Sequence, residues 1–188
     1  MPKRFKPVVK DTTVYVQGRL SYVHLLEPAA PQGSDQKCYS TCVLIDVNDK
    51  ESVAAVEQAV KNAVAKGVVT KWQGKEPRKL QTPLRDGAEK EGPEFRGKVF
   101  FNAKANRAPA VLNRAKAPIL SHDEVYSGMW AIVCVNMYPY SNSGNNGVAA
   151  GLNAVLKTAD DTAFSGGDGS KAFDGINVPE EDDDDDLV

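Results

Sequence analysis

Between Gly97 and Asn106 the odd positions hold Val99, Phe101, Ala103 and Ala105, and the even positions hold Lys98, Phe100, Asn102, Lys104 and Asn106. Successive side chains of a strand point to opposite faces, so this period of two calls for a β-strand with unlike faces. One face is apolar; the other carries cations around a ring. The pattern returns over Ser127–Met137, where Met129, Ala131, Val133, Val135 and Met137 share a face. The opposite face takes Tyr126, Trp130, Asn136, Tyr138 and Tyr140, with Ile132 and Cys134 between them.

Two further runs, Thr13–Leu26 and Lys37–Val47, are rich in β-branched and aromatic residues and also predict strands. Glu124–Tyr138 is long enough to bend across a barrel. One segment breaks the period. Val53, Val56, Val60, Ala63 and Val64 recur at helical spacing, which predicts a helix over Asp49–Lys66, with Asp49 as N-cap and Gly67 as stop. Residues 71–97 are punctuated by Gly74, Pro77, Pro83, Gly87, Gly92, Pro93 and Gly97, and read as an extended basic loop around Trp72. Asn146-Gly147 signals a hairpin turn and biases Val148–Leu156 towards a returning strand, although its alanine content would also permit a helix. From Lys157 onward small and polar residues have little to bury.

Charge is sharply segregated along the chain. Residues 61–118 carry 14 Lys and Arg against 5 Asp and Glu, whereas residues 157–188 carry 2 against 11. The net charge of −2 therefore conceals a basic body and an acidic end. Three cysteines argue against a disulfide framework. Cys38 and Cys42, four residues apart on a strand, would lie ~13 Å apart, beyond the ~7 Å reach of a disulfide. The longest apolar run, Met129–Val135, falls far short of the ~20 residues of a membrane helix. No segment resembles a signal peptide, so a soluble protein of the bacterial host cytoplasm is expected.

No enzyme motif is present. Ser165–Lys171 lacks the Gly-Lys-Ser/Thr of a phosphate loop, and His122-Asp123-Glu124 and Asp86/Glu89/Glu91 read as solvated turns rather than metal ligands. No cofactor and no metal are expected. A sheet face bearing rings and cations instead suits single-stranded nucleic acid, because bases stack on rings while cations track phosphates. Phe100, Tyr126, Trp130 and Tyr138 are the candidate stacking residues. Arg85, Lys98, Lys104, Arg107, Arg114 and Lys116 are the candidate phosphate contacts. The alternative for the rings, above all Trp130, is a second hydrophobic layer. Glu180, Glu181, Asp182, Asp183, Asp184, Asp185 and Asp186 form a run of seven carboxylates that cannot fold alone, followed by Leu187 and Val188. Tethered to a basic body, this end can mimic phosphates in the DNA site or offer an acidic, apolar-tipped handle to a partner.

Several stretches occur in the order of one phage family: Gly18-Arg19-Leu20-Ser21-Tyr22, Tyr39–Ile45, Pro83-Leu84-Arg85-Asp86-Gly87, Val125-Tyr126-Ser127-Gly128, Val135–Tyr140 and Gly147–Val155. Over roughly residues 14–157 the chain resembles a family long catalogued as a domain of unknown function in tailed-phage replication modules. That family is related to the single-stranded DNA-binding proteins of short-tailed lytic phages. The resemblance implies a mainly β protein with one principal helix: an OB fold, a five-stranded barrel, with a disordered acidic C-terminal tail. It implies binding of single-stranded DNA without strong sequence preference in replication and recombination. It also implies a tail that competes with DNA and contacts replication proteins such as DNA polymerase and helicase/primase. Where the short-tailed phage proteins finish in an aromatic residue, this sequence has Leu187-Val188.

The expected organisation is a DNA-binding domain over 1–157, a flexible linker over 158–179 and the tail over 180–188. The rival readings are a strand-annealing recombination protein and a non-enzymatic, protein-binding adaptor whose rings are all core. A metal-dependent nuclease is the least favoured.

Overall fold

The computed structural model describes residues 1–164 of the chain. The expected tail, Glu180–Val188, and most of the expected linker lie outside them. The elements in chain order are β1 (Val8–Lys10), β2 (Thr13–Ala29), β3 (Cys38–Asp46), α1 (Lys50–Thr70), β4 (Arg85–Asp86), β5 (Lys98–Ala105), β6 (Ala110–Leu112), β7 (Trp130–Asn142) and β8 (Asn145–Ala159).

Five strands close a barrel in the order β2-β3-β5-β8-β7 and back to β2. All neighbours are antiparallel except β5 and β8, which pair in parallel through Ala103–Ala150 and Lys104–Gly151. This is the OB fold implied by the resemblance. The period of two decides what fills it. Val14, Val16, Val43, Ile45, Phe101, Ala103, Ala131, Val133, Val135, Met137, Ala150 and Leu152 all point inward and are buried. α1 adds Val56, Ala59, Val60 and Ala63 to the same core. Outside the barrel wall, Cys42, Leu44, Phe95 and Phe100 make a second, smaller apolar cluster.

Several expected boundaries move. Glu124–Met129 is not strand: His122–Glu124 forms a 3-10 turn and Gly128 takes φ +117°. Its N–H donates to Leu20 O at 2.7 Å, so this stretch is pinned to β2 without a regular ladder. The β7–β8 hairpin exists, but it turns at Ser143-Gly144, where both residues have positive φ, while Asn146 and Gly147 lie inside β8. Two consecutive left-handed residues are what a two-residue type I′ turn needs. Residues 158–164, assigned to the linker on composition, first continue β8 to Ala159 and then pack against the barrel.

α1 begins as expected, with the Asp49 carboxylate accepting from Ser52 N. It does not stop at Gly67 but runs on to Thr70. Gly67 serves packing instead. A Cβ there would lie 2.5 Å from Trp72 Cζ3 and 2.7 Å from Pro139 Cβ. Trp72 is thereby drawn from its basic loop into the core, donating from Nε1 to Tyr140 O at 3.3 Å. Helix propensity alone would make Gly67→Ala stabilising by about 1 kcal/mol. Overpacking, at about 1–3 kcal/mol, outweighs it. A lowered urea midpoint is expected; a raised one would mean that Trp72 has room to move.

Candidate nucleic-acid interface

The outward residues of adjacent strands line up in rows around the barrel. One row runs His24 on β2, Ser40 on β3, Lys104 on β5 and Gly151 on β8, each pair in register. Tyr138, on β7, leans diagonally across it. A Cβ at Gly151 would stand 3.5 Å from Tyr138 Cε1, so the ring reaches over a strand position that offers no side chain. Tyr138 remains 44% exposed. Lys104 is exposed on the far side of Gly151, with exposed Asn102 before it and Arg107 beyond the strand end. The alternation places Lys104 and Tyr138 on the outward face, but it does not foretell that Gly151 lies between them.

The predicted phosphate contacts divide into two groups. Arg85 is paired with Glu89 at 2.8 Å, and Lys98 with Asp46 at 2.9 Å, which holds the Asp46 carboxyl below the usual carboxylate range. Lys104, Arg107, Arg114 and Lys116 are exposed and pair with no carboxylate among the described residues. Arg114 and Lys116 are presented by a tight turn after β6, in which Asn113 Oδ1 accepts from the backbone of both Ala115 and Ala117. An Asn side chain bonding its own following backbone is a standard way to fix such a turn.

Phe100 requires a correction. The alternation places it on the outward face, as expected, but it is fully buried there and offers no free ring. The loop before β5 folds back over it. Phe95 meets it edge-on at 5.3 Å, and the Arg85 guanidinium lies 5.3 Å from its centre. Beside it, burial pushes the Cys42 thiol up to about 12.

Trp130 stands on the outward side of β7, whereas Tyr126 is half-buried against the main core, and both are engaged by residues 160–164. Trp130 Nε1 donates to Asp161 Oδ2 at 2.8 Å, and the Tyr126 hydroxyl donates to Asp160 Oδ1 at 2.8 Å. The Trp130 hydrogen bond, with the Thr162 backbone, keeps the Asp161 carboxyl acidic; Lys157 and Tyr126 do the same for Asp160. Arg19 anchors the segment. It donates from Nη2 to Thr162 O at 2.6 Å, and its guanidinium stacks 4.2 Å from the centre of Phe164. Sequence reasoning does not assign Arg19 this role, although the residue stands inside the first family landmark. Nor does it single out Tyr22, in the same landmark, which the structure leaves more exposed than Tyr138. Among the described residues no group of three or more His, Cys, Asp or Glu is placed to hold a metal ion, and no helix is long and apolar enough to cross a membrane.

The sequence profile of the family described as "Enterobacter phage Enc34, ssDNA-binding protein" matches residues 11–188. The chain belongs to that family. The kinship inferred from the ordered landmarks is thus borne out. Among solved structures, the single-stranded DNA-binding protein of bacteriophage Enc34 in complex with ssDNA superimposes with a TM-score of 0.72 at 23% identity, over 87% of this chain and 97% of that one. Another structure of the Enc34 protein gives 0.69 at 24% identity, over 92% and 98%. A single-stranded DNA-binding protein encoded by bacteriophage T7 gives 0.60 at 16% identity, over 90% and 98%. At these identities the superpositions establish a shared fold. No curated protein matches the sequence.

Proposed function

We propose that this protein coats single-stranded DNA without sequence preference during phage replication and recombination in the host cytoplasm. The observation that carries the reading is the exposed Tyr138 ring reaching to Gly151, whose strand neighbour in register is Lys104, a cation without a carboxylate partner among the described residues. Stacking serves any base, because every base has a π-face, and phosphate contacts are equally blind to sequence. Membership of a phage single-stranded DNA-binding family supports the same reading. In a protein-binding adaptor, Tyr138 and Lys104 would have no common purpose. The acidic end, Glu180–Val188, competes with DNA for the unpaired cations and, when displaced, offers its carboxylates and Leu187-Val188 to replication proteins such as the polymerase or helicase/primase.

The test is binding to a labelled oligo-dT of ~30 nucleotides, long enough for at least one OB-type site. The full chain, Tyr138→Ala and a chain ending at Pro179 are compared across a salt series. The full chain should bind, with log affinity falling by ~0.7 per phosphate contacted as log salt rises. Tyr138→Ala should bind about 5- to 150-fold more weakly, the equivalent of one stacked base, with an unchanged salt slope. The shortened chain should bind more tightly than the full one. Absence of binding at low salt would refute the DNA reading; equal affinity of full and shortened chains would refute competition by the tail.

A further inference from the structure

β2 loses its regular register between Ser21 and His24. Leu20 and Ser21 are consecutive and both buried, and Tyr22 then adopts φ +48°, in the left-handed region. A bulky residue is rarely found there, and the irregularity re-aims its side chain. The outcome is a tyrosine 55% exposed on the barrel wall. Strain at a position that turns an aromatic ring into solvent calls for an explanation that core packing does not supply.

Above this ring stands Lys90. Its Nζ lies 5.1 Å from the centre of Tyr22 and 5.5 Å from each of Phe95 and Phe100. Phe95 and Phe100 are completely buried and fix two sides of the cage. The 3-10 turns Gly87–Glu89 and Pro93–Phe95 brace the loop that carries the lysine. Lys90 makes no ion pair among the described residues, and its charge is held in place over the rings.

Tyr22 sits next to the row that carries Lys104 and Tyr138, at its opposite end. Ser21 pairs with Cys42, which pairs with Asn102, while His24, Ser40, Lys104 and Gly151 form the adjoining row. From β2 to β7 by way of β3, β5 and β8 is four strand spacings, about 19 Å around the wall. Each end of this path has an exposed tyrosine and an unpaired lysine: Tyr22 with Lys90, and Tyr138 with Lys104.

We propose that Tyr22 and Lys90 form a second nucleotide subsite, with a base stacked on the free face of Tyr22 and its phosphate on Lys90, and that the DNA strand crosses the barrel from this subsite to Tyr138. The proposal rests on the single-stranded DNA reading above. The buried Phe95–Phe100 pair is then the support that positions the cation, and the loop over Phe100 is one wall of the path.

The test uses the full chain and labelled oligo-dT. Tyr22→Asn removes the ring but keeps a residue that tolerates the left-handed backbone. It should lower affinity about 5- to 150-fold with the salt slope unchanged. Tyr22→Phe keeps the ring and should bind like the parent. Lys90→Met keeps an apolar stem within the cage and should lower the salt slope by ~0.7, the share of one phosphate. Thermal unfolding of the three variants separates weakened DNA binding from damage to the fold. If Tyr22→Asn is folded and binds like the parent while Tyr138→Ala is weakened, the subsite is refuted and the general reading stands. If the parent itself does not bind, both fall. If Tyr22→Phe is weakened as much as Tyr22→Asn, the ring is not a stacking platform and the subsite is again refuted.

Discussion

Replacing Phe100 with alanine should cost about 3–5 kcal/mol of stability, as truncation of a buried phenylalanine usually does. The alternation alone would assign this ring to DNA. The structure instead encloses it among Cys42, Leu44 and Phe95, with no exposed surface. The destabilisation has two parts, the apolar area returned to water and the cavity left under a loop that cannot collapse fully, because Gly87 is in close backbone contact there. A Cβ at Gly87 would already approach Phe95 O within 2.0 Å. Since a domain of this size has a total stability of about 5–15 kcal/mol, the alanine variant should unfold at markedly lower urea. Phe100→Leu, which keeps most of the volume, should remain folded and bind oligo-dT with near-parental affinity. The opposite pattern, an unchanged urea midpoint with weakened DNA binding, would return Phe100 to the interface and show that the loop lifts away.

This residue illustrates what the sequence could and could not disclose. Period-two patterning determines the side of the wall on which Phe100 stands, and it locates β5 from Lys98 to Ala105. It carries no information about what comes to rest on that side, since Phe95 and Lys90 arrive by the folding of a loop without a period of its own. Trp72 makes the same point in reverse: a tryptophan among lysines reads as a surface ring, and only the slot left by Gly67 takes it inside. Trp130 stands on the outward side of its strand, where the alternation places it, but its hydrogen bond to Asp161 belongs to neither sequence reading, because the segment that supplies Asp161 has no period of its own. Tyr22 is hidden for another reason. A register break reverses the faces of every residue beyond it, and nothing in Leu20-Ser21-Tyr22 marks where the break falls. The exposed cations are the most legible part, because a charge without a carboxylate partner stays on the surface wherever the chain puts it.

Those cations carry the other large effect. Lys104, Arg107, Arg114 and Lys116, changed together to glutamine, should reduce the salt slope of oligo-dT binding by up to about 2.8, at ~0.7 for each phosphate no longer engaged. Between 50 and 200 mM salt the parent would then lose roughly 50-fold more affinity than the quadruple variant. Stability should hardly change, since none of the four belongs to the buried clusters or to an ion pair among the described residues. Arg85 and Lys98 provide the internal comparison. Each already faces a carboxylate, Glu89 or Asp46, so binding a phosphate there first requires parting an ion pair. Exposed pairs are worth only about 0–1 kcal/mol, so the exchange is feasible, but the freed carboxylate then attracts a cation from solution, which lowers the net ion release per phosphate bound. Arg85→Gln with Lys98→Gln should therefore shift the slope less than any two of the unpaired cations do. A quadruple variant with the parental slope would mean that these four charges stand away from the strand, and would move the phosphate path towards Lys90 and the loop that bears it.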